Sequence, residues 1–147
     1  MRWFLITLLS ILIFSCSGGG SNSSNNPTSS SPTTTTANIQ GNFRGTFVSS
    51  VVSGAGGSGI GTFQQTGNQV TGTLTFTSTS GQNSTGTFTG TVSGFTLAGT
   101  LNIGPGDQIT ITALIANDQL SITGGYAEVR SSTIPNPDNG TFTLVKQ

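Results

Sequence analysis

Histidine is absent from this chain of 147 residues, cysteine occurs once, and charged residues are scarce. Four lysine and arginine residues balance four aspartate and glutamate residues, so the formal net charge is zero. Without histidine a Ser-His-Asp arrangement is impossible, and a zinc site loses its commonest nitrogen ligand. The few basic residues form no patch that would neutralise nucleic-acid phosphates. We therefore expect no nucleic-acid partner, no metal and no cofactor.

The few charged residues also give no sign of catalysis. Paired-carboxylate chemistry needs two acids that converge, and the spacing of the four acids along the chain does not suggest it. These acids are Asp107, Asp118, Glu128 and Asp138. The glycine-rich stretch at residues 53–59 lacks the Lys-Ser/Thr pair of a phosphate-binding loop, so we interpret it as a turn between strands. We therefore expect that the protein is not an enzyme.

The single cysteine, Cys16, directly follows a short apolar segment at the N terminus. Met1-Arg2 gives a minimal positive region, and the segment from Trp3 to Phe14 is almost wholly apolar. It is too short to span a bilayer comfortably, which needs about 20 apolar residues, and it fits the apolar region of a secretory signal. With no second cysteine, the exported domain must be stabilised by burial and sheet hydrogen bonds alone.

The residues before the cysteine resemble the lipobox of bacterial lipoproteins. Ile13 is the aliphatic residue three positions before Cys16, and Ser15 is the small residue directly before it. The resemblance implies diacylglyceryl transfer to the Cys16 thiol, cleavage before it, and a lipid anchor in the cell envelope. Ser17 is not the aspartate that favours inner-membrane retention, so the resemblance favours the outer membrane. The alternative is an ordinary secretory signal that happens to contain a cysteine.

Composition divides the chain into three zones: a signal peptide at 1–15, a lipidated cysteine and tether at 16–38, and a folded domain at 39–147. The tether is rich in Ser, Thr, Asn and Gly and has no apolar residue between Cys16 and Ala37. Such a segment cannot bury apolar surface, so we expect it to be disordered. As a flexible coil it reaches roughly 25 Å, enough to hold the domain away from a membrane.

From Ile39 onward, apolar residues or glycine alternate with threonine at a period of two, which predicts half-buried strands. Threonine suits the solvated face because its branched Cβ fits the pleat. Turn sequences rich in Gly, Asn, Asp and Pro separate the strands. We predict eight of them, near 41–52, 58–65, 68–78, 84–92, 95–103, 108–116, 119–130 and 140–146.

The short links between these strands predict an all-β, antiparallel up-and-down meander. Closure into a small barrel would remove the two exposed edges, so we favour a barrel. The alternative is an open two-sheet β-sandwich.

Three stretches resemble a class of small bacterial lipoproteins with a Thr/Gly-rich β-meander, which is similar to lipocalin and avidin barrels. They are the first strand at 41–47, the hairpin at 63–73 and the last strand at 140–146. In the first stretch, Phe43 stands where the class often has tryptophan. The resemblance implies a barrel with a possible ligand site that Phe43 would contact.

Tyr126, Glu128 and Arg130 form the only polar and aromatic cluster, and a period of two places them on one face. If that face points inward, Glu128 and Arg130 must pair, because a lone buried charge is very costly. They would then line a barrel mouth and bind a polar group of a ligand. If Gly124-Gly125 forms a bulge, the phase shifts and the charges are solvated. We favour the solvated alternative but retain all three as candidate ligand-binding residues.

Several inward positions are glycine, among them Gly72, Gly90 and Gly99. Glycine there allows either close packing of large neighbours such as Phe88 or an open cavity, and we favour close packing. The functional prediction is a lipid-anchored envelope protein whose barrel is a non-enzymatic binding or interaction module. Its expected partners are the membrane, a small or lipophilic ligand, and an envelope protein. The alternative is a surface-interaction protein with a filled barrel and no ligand.

Overall fold

The computed structural model describes residues 35–129 and 137–147, and all eight predicted strands are present in it. They are β1 (Gly41–Ser49), β2 (Gly56–Thr66), β3 (Gln69–Ser78), β4 (Asn83–Ser93), β5 (Thr96–Gly104), β6 (Asp107–Ile115), β7 (Ser121–Glu128) and β8 (Asn139–Lys146). The predicted lipidation at Cys16 lies outside the described residues. Within the described ranges, no helix has the length and apolar character needed to cross a membrane.

The largest difference between predicted and observed strand ends is in β1, which ends at Ser49 and not at 52. The predicted strand was too long because Val51 and Val52 are apolar and were counted as part of it. The Oγ atom of Ser49 accepts hydrogen bonds from the backbone N–H groups of both valines, at 3.1 and 2.9 Å. A serine side chain that bonds the backbone two and three residues ahead turns the chain and ends the strand.

Consecutive strands pair antiparallel, and β1 also pairs with β8, so the sheet closes into a barrel. Phe43 lies opposite Lys146, and the pairing continues without interruption to Ser49 opposite Gly140. The predicted barrel is therefore confirmed, and the two-sheet sandwich is excluded.

Side chains alternate between the barrel interior and its outer surface along every strand. On β6, for example, Ile109, Ile111, Ala113 and Ile115 are buried while the residues between them are exposed. Threonine dominates the outer surface, as predicted, and some threonine pairs bond across strands: the Oγ1 atoms of Thr75 and Thr85 are 3.0 Å apart. The larger apolar side chains exposed on the outer surface of the strands are Val48, Ile60, Leu114 and Val145.

Aromatic rings fill one half of the barrel. Phe43 and Phe63 meet edge to face with ring centroids 5.6 Å apart, and Phe63 meets Phe88 in the same way at 5.7 Å. All three side chains are at most 2% exposed. Edge-to-face pairs of buried rings are favourable beyond their area burial, so this cluster anchors the core.

The chain segment before β1 closes the same end of the barrel. Ala37 and Ile39 are fully buried there, so the core begins two residues before the predicted domain boundary at 39. Gln65 holds the segment: its Oε1 accepts a hydrogen bond from the Ile39 N–H, and its Nε2 donates to the Ala37 carbonyl, both at 2.9 Å. Gln119 Oε1 accepts from the Asn38 N–H at 2.6 Å. We call this the closed end.

Inward glycines make room for the aromatic rings of the filled half. A Cβ at Gly99 would lie 2.5 Å from Cζ of Phe88, one at Gly90 would lie 2.6 Å from the same atom, and one at Gly72 would lie 2.7 Å from Cδ1 of Phe63. At such distances a Cβ would force the ring or the facing strand to shift. The interpretation of these glycines as close-packing positions is therefore confirmed.

Gly99→Ala tests this close packing. The added methyl group would overpack the contact with the buried Phe88 ring and lower the free energy of unfolding by about 1–3 kcal/mol. Gly104→Ala is the control, because a Cβ at Gly104 has no neighbour within 4 Å. Urea denaturation of the full-length variants measures the difference. Equal stability of the two variants would show that the ring adjusts without cost.

Candidate functional site

A cavity of about 200 Å³ occupies the other half of the barrel, and we call its end the open end. Its aromatic walls include Phe47, Phe76 and Phe142, and its floor is formed by core side chains such as Phe88 and Leu101. Polar side chains are confined to the rim. The cavity therefore combines an apolar interior with a polar mouth, as is usual for small-molecule sites.

The structure places Tyr126 and Glu128 on the inward face of β7, at the mouth of the cavity. Tyr126 pairs with Ile111 and Glu128 pairs with Ile109, and the register between β6 and β7 is continuous through Gly124. The predicted phase shift does not occur, so the arrangement that we favoured, with Glu128 facing away from the interior, is wrong. Gly124 serves close packing instead, because a Cβ there would overlap the Cβ of Ala113.

Asp138 is the centre of the hydrogen bonding at the mouth. Its Oδ1 accepts from Ser49 Oγ at 2.6 Å and from the Asn139 N–H at 2.8 Å, and its Oδ2 accepts from Tyr126 Oη at 2.8 Å. Its own backbone N–H donates to Glu128 Oε2 at 2.8 Å. Asp138 therefore links β1, β7 and the start of β8 at the rim.

Asp138 was not among the predicted site residues, because it lies in a Pro-Asp-Asn-Gly stretch that indicates only a turn. Its position next to β8, which pairs with β7, was the one available signal. A second necessary feature is Gly140, since a Cβ there would lie 2.7 Å from Cε1 of Tyr126 and 2.8 Å from its Oη. The absent side chain lets the Tyr126 ring lean across β8 towards Asp138.

Burial, together with the nearby carboxylates, raises the pKa of the Tyr126 phenol. Desolvation is the largest cause, followed by the hydrogen bond to Asp138 and by the negative charges of Asp138 and Glu128. All of these favour the neutral phenol, because a phenolate would be both poorly solvated and repelled. Tyr126 is therefore a stable hydrogen-bond donor at the mouth and not a base.

The other predicted site residues lie elsewhere. Arg130 lies outside the described residues, and so does the predicted pairing with Glu128. Phe43 is fully buried near the closed end, and the structure does not place it among the residues that line the cavity. Within residues 35–129 and 137–147, no three acidic or cysteine side chains come together as a metal site.

No protein-family model matches this chain, and no curated protein matches it in sequence. Its fold is similar to that of solved β-barrels. One is EF1p2_mFAP2b bound to DFHBI, which is 15% identical with a TM-score of 0.61 over 74% of this chain and 94% of that one. Another is a redesigned β-barrel, mFAP1, bound to DFHBI, which is 17% identical with a TM-score of 0.59 over the same shares. At these identities the likeness shows the fold alone.

Titration of Tyr126 tests the geometry of the mouth. It is the only tyrosine in the chain, so the ultraviolet absorbance of tyrosinate reports this residue alone. We expect its midpoint well above the ordinary value of 10.0 in the folded protein. Because the unfolded chain releases this proton first, the associated stability is complete below pH 10 and is lost as the pH rises above it.

Asp138→Asn should lower the Tyr126 midpoint, because it removes the charge and weakens the hydrogen bond. Asp118→Asn is the matched control, since Asp118 lies in the turn between β6 and β7 at the closed end. Circular dichroism on the same samples shows the pH range over which the protein stays folded. A wild-type midpoint near that of free tyrosine would contradict the burial and bonding described for this residue.

Proposed function

We propose that the barrel is a non-enzymatic binding module that takes one small, largely apolar molecule into the cavity at its open end. The cavity itself carries this proposal, because a barrel of eight strands is just wide enough either to fill with side chains or to hold one small ligand. Here the aromatic core fills only the half towards the closed end. The half-buried rings of Phe47, Phe76 and Phe142 line the remaining space.

The volume of the cavity limits the size of the ligand. An apolar protein cavity of about 150 Å³ binds benzene, so a cavity of about 200 Å³ suits one or two rings or a short aliphatic group. A long acyl chain or a large macrocycle would not fit. The solved barrels of similar fold support this proposal, because both hold a small molecule, DFHBI.

The arrangement of the mouth favours binding over catalysis. Tyr126 is held in its neutral form, and both carboxylate oxygens of Asp138 already accept hydrogen bonds from protein groups. A general base needs a free, suitably placed lone pair and a pKa near the working pH. Tyr126 and Asp138 are better suited to orienting a bound molecule than to transferring its protons.

We place this module in the bacterial cell envelope, anchored by acylation of Cys16 and more consistent with the outer than the inner membrane. The lipobox-like residues Ile13, Ser15 and Cys16 support this location. Residues 35–40 cross the closed end, so the tether would join the domain there.

Indole is a suitable first probe for the cavity, because it is neutral, mostly apolar and has two fused rings. We expect that adding it to the full-length protein shifts the methyl NMR signals of Leu101, Ile103 and Ile109, which line the cavity. Native mass spectrometry of protein purified from an envelope should show a retained small molecule. Absence of both would favour the alternative of a surface-interaction protein without a ligand.

Gly59→Leu tests whether the cavity is the site of binding. Gly59 faces the cavity, and a Cβ there meets Phe76 Cδ1 at 3.3 Å, so a leucine side chain would occupy the space with small adjustments. We expect at least a tenfold loss of indole affinity, about 1.4 kcal/mol. Ser58→Leu adds the same side chain at the preceding residue, which faces the outer surface, and should leave binding unchanged. Equal affinity of the two variants would place the probe elsewhere.

Cys16→Ser tests the anchor separately. Removing the thiol removes the site of acylation, and even one acyl chain adds about 0.8 kcal/mol of membrane affinity per buried methylene. We expect the variant to leave the membrane fraction while the wild-type chain stays in it, as measured by cell fractionation. Membrane retention of the variant would contradict the lipobox interpretation and leave the cavity proposal untouched.

A further inference from the structure

Three aromatic rings form perpendicular walls in the outer part of the cavity. Phe47 stands between Phe76, at a centroid distance of 5.9 Å and an angle of 86°, and Tyr126, at 6.2 Å and 83°. Each of the three is half-buried, so part of each ring remains open. The face of an aromatic ring is the negative end of its quadrupole, and several such faces around one space attract a substituted ammonium group.

Two carboxylates lie beside these rings and also line the cavity, those of Glu128 and Asp138. Both carboxylate oxygens of Asp138 already accept hydrogen bonds from the protein groups described above. Glu128 accepts a hydrogen bond through Oε2 from the backbone N–H of Asp138. The Glu128 carboxylate therefore places negative charge next to aromatic walls that also favour a positively charged ligand.

Basic side chains in the described ranges lie away from this mouth. Arg44 is exposed on the outer surface of β1. Lys146 lies at the closed end, with its Nζ 5.9 Å from the centroid of the Phe43 ring. Neither lines the cavity, so the described residues present negative charge and aromatic faces there. With respect to these described residues, an anionic ligand would be repelled and a cation would be attracted by both features.

We infer that the ligand of the cavity is a small organic cation, a substituted ammonium group carried on one aromatic ring or a short aliphatic body. The apolar body would lie against the floor near Leu101, and the ammonium group between Phe47, Tyr126 and Glu128. This inference rests on the proposed function, because it assigns a chemical class to the ligand of the same cavity.

Three probes of similar shape separate charge from size: phenyltrimethylammonium, its neutral carbon analogue tert-butylbenzene, and the anion benzenesulfonate. Each is titrated into the full-length protein and followed by the methyl NMR shifts of the cavity residues. We expect the cation to bind about tenfold or more tightly than the anion, with an affinity that falls as salt is added. Tighter binding of benzenesulfonate than of the cation would overturn the inference.

Glu128→Gln removes the charge and keeps the shape of the side chain. We expect it to weaken phenyltrimethylammonium binding by about tenfold and to leave tert-butylbenzene binding within about twofold. Asp118→Asn makes the same change of net charge at the closed end and should alter neither. Phe47→Leu, which removes a π face and keeps an apolar side chain, should likewise weaken the cation more than the neutral probe.

These outcomes distinguish the two proposals. If tert-butylbenzene and indole bind, and Glu128→Gln weakens the cation no more than the neutral probe, the cavity is a binding site and the inference of a cationic ligand is wrong. If none of the probes binds, the proposed function fails and the inference fails with it. Selective loss of cation binding in Glu128→Gln, with Asp118→Asn unchanged, supports both.

Discussion

Hydrogen bonds between β1 and β8 close the sheet, and this closure sets the width of the interior that every inward side chain must share. An open meander would leave two edges with unpaired N–H and C=O groups, and its inward face would need a second layer to cover it. In the closed barrel the inward side chains of opposite strands cover one another. The Thr-rich outer surface then needs no partner to bury it, and the chain folds without a disulfide among its described residues.

Within this fixed width, the distribution of glycine decides which part of the interior is filled. Gly72, Gly90 and Gly99 lie against the Phe63 and Phe88 rings, and each glycine offers the space that a ring occupies. Towards the open end the balance is different. Gly59 leaves space that the Phe76 ring occupies only in part, so a cavity remains. One residue type therefore gives close packing in one half of the barrel and a pocket in the other.

The period-two pattern was sufficient to predict the eight strands, the order of their pairing and the nature of both faces. It failed at Gly124-Gly125 because a glycine pair in a strand is consistent with either a bulge or a close approach of backbones. Only the packing against Ala113, which depends on the register with β6, decides between them. A single sequence does not contain that register. The inward position of Tyr126 and Glu128 therefore became evident only in the structure.

Asp138 illustrates a different limit, because its role depends on contacts between residues far apart in the chain. Ser49, Tyr126 and Glu128 reach it from two other strands, and Gly140 must lack a side chain for the Tyr126 ring to approach. A turn motif encodes none of these contacts. Their result is a rim in which hydrogen bonds fix the carboxylates and the phenol. A rim ordered in advance lowers the entropic cost of binding, which matters most for a cavity too small to gain much from buried area.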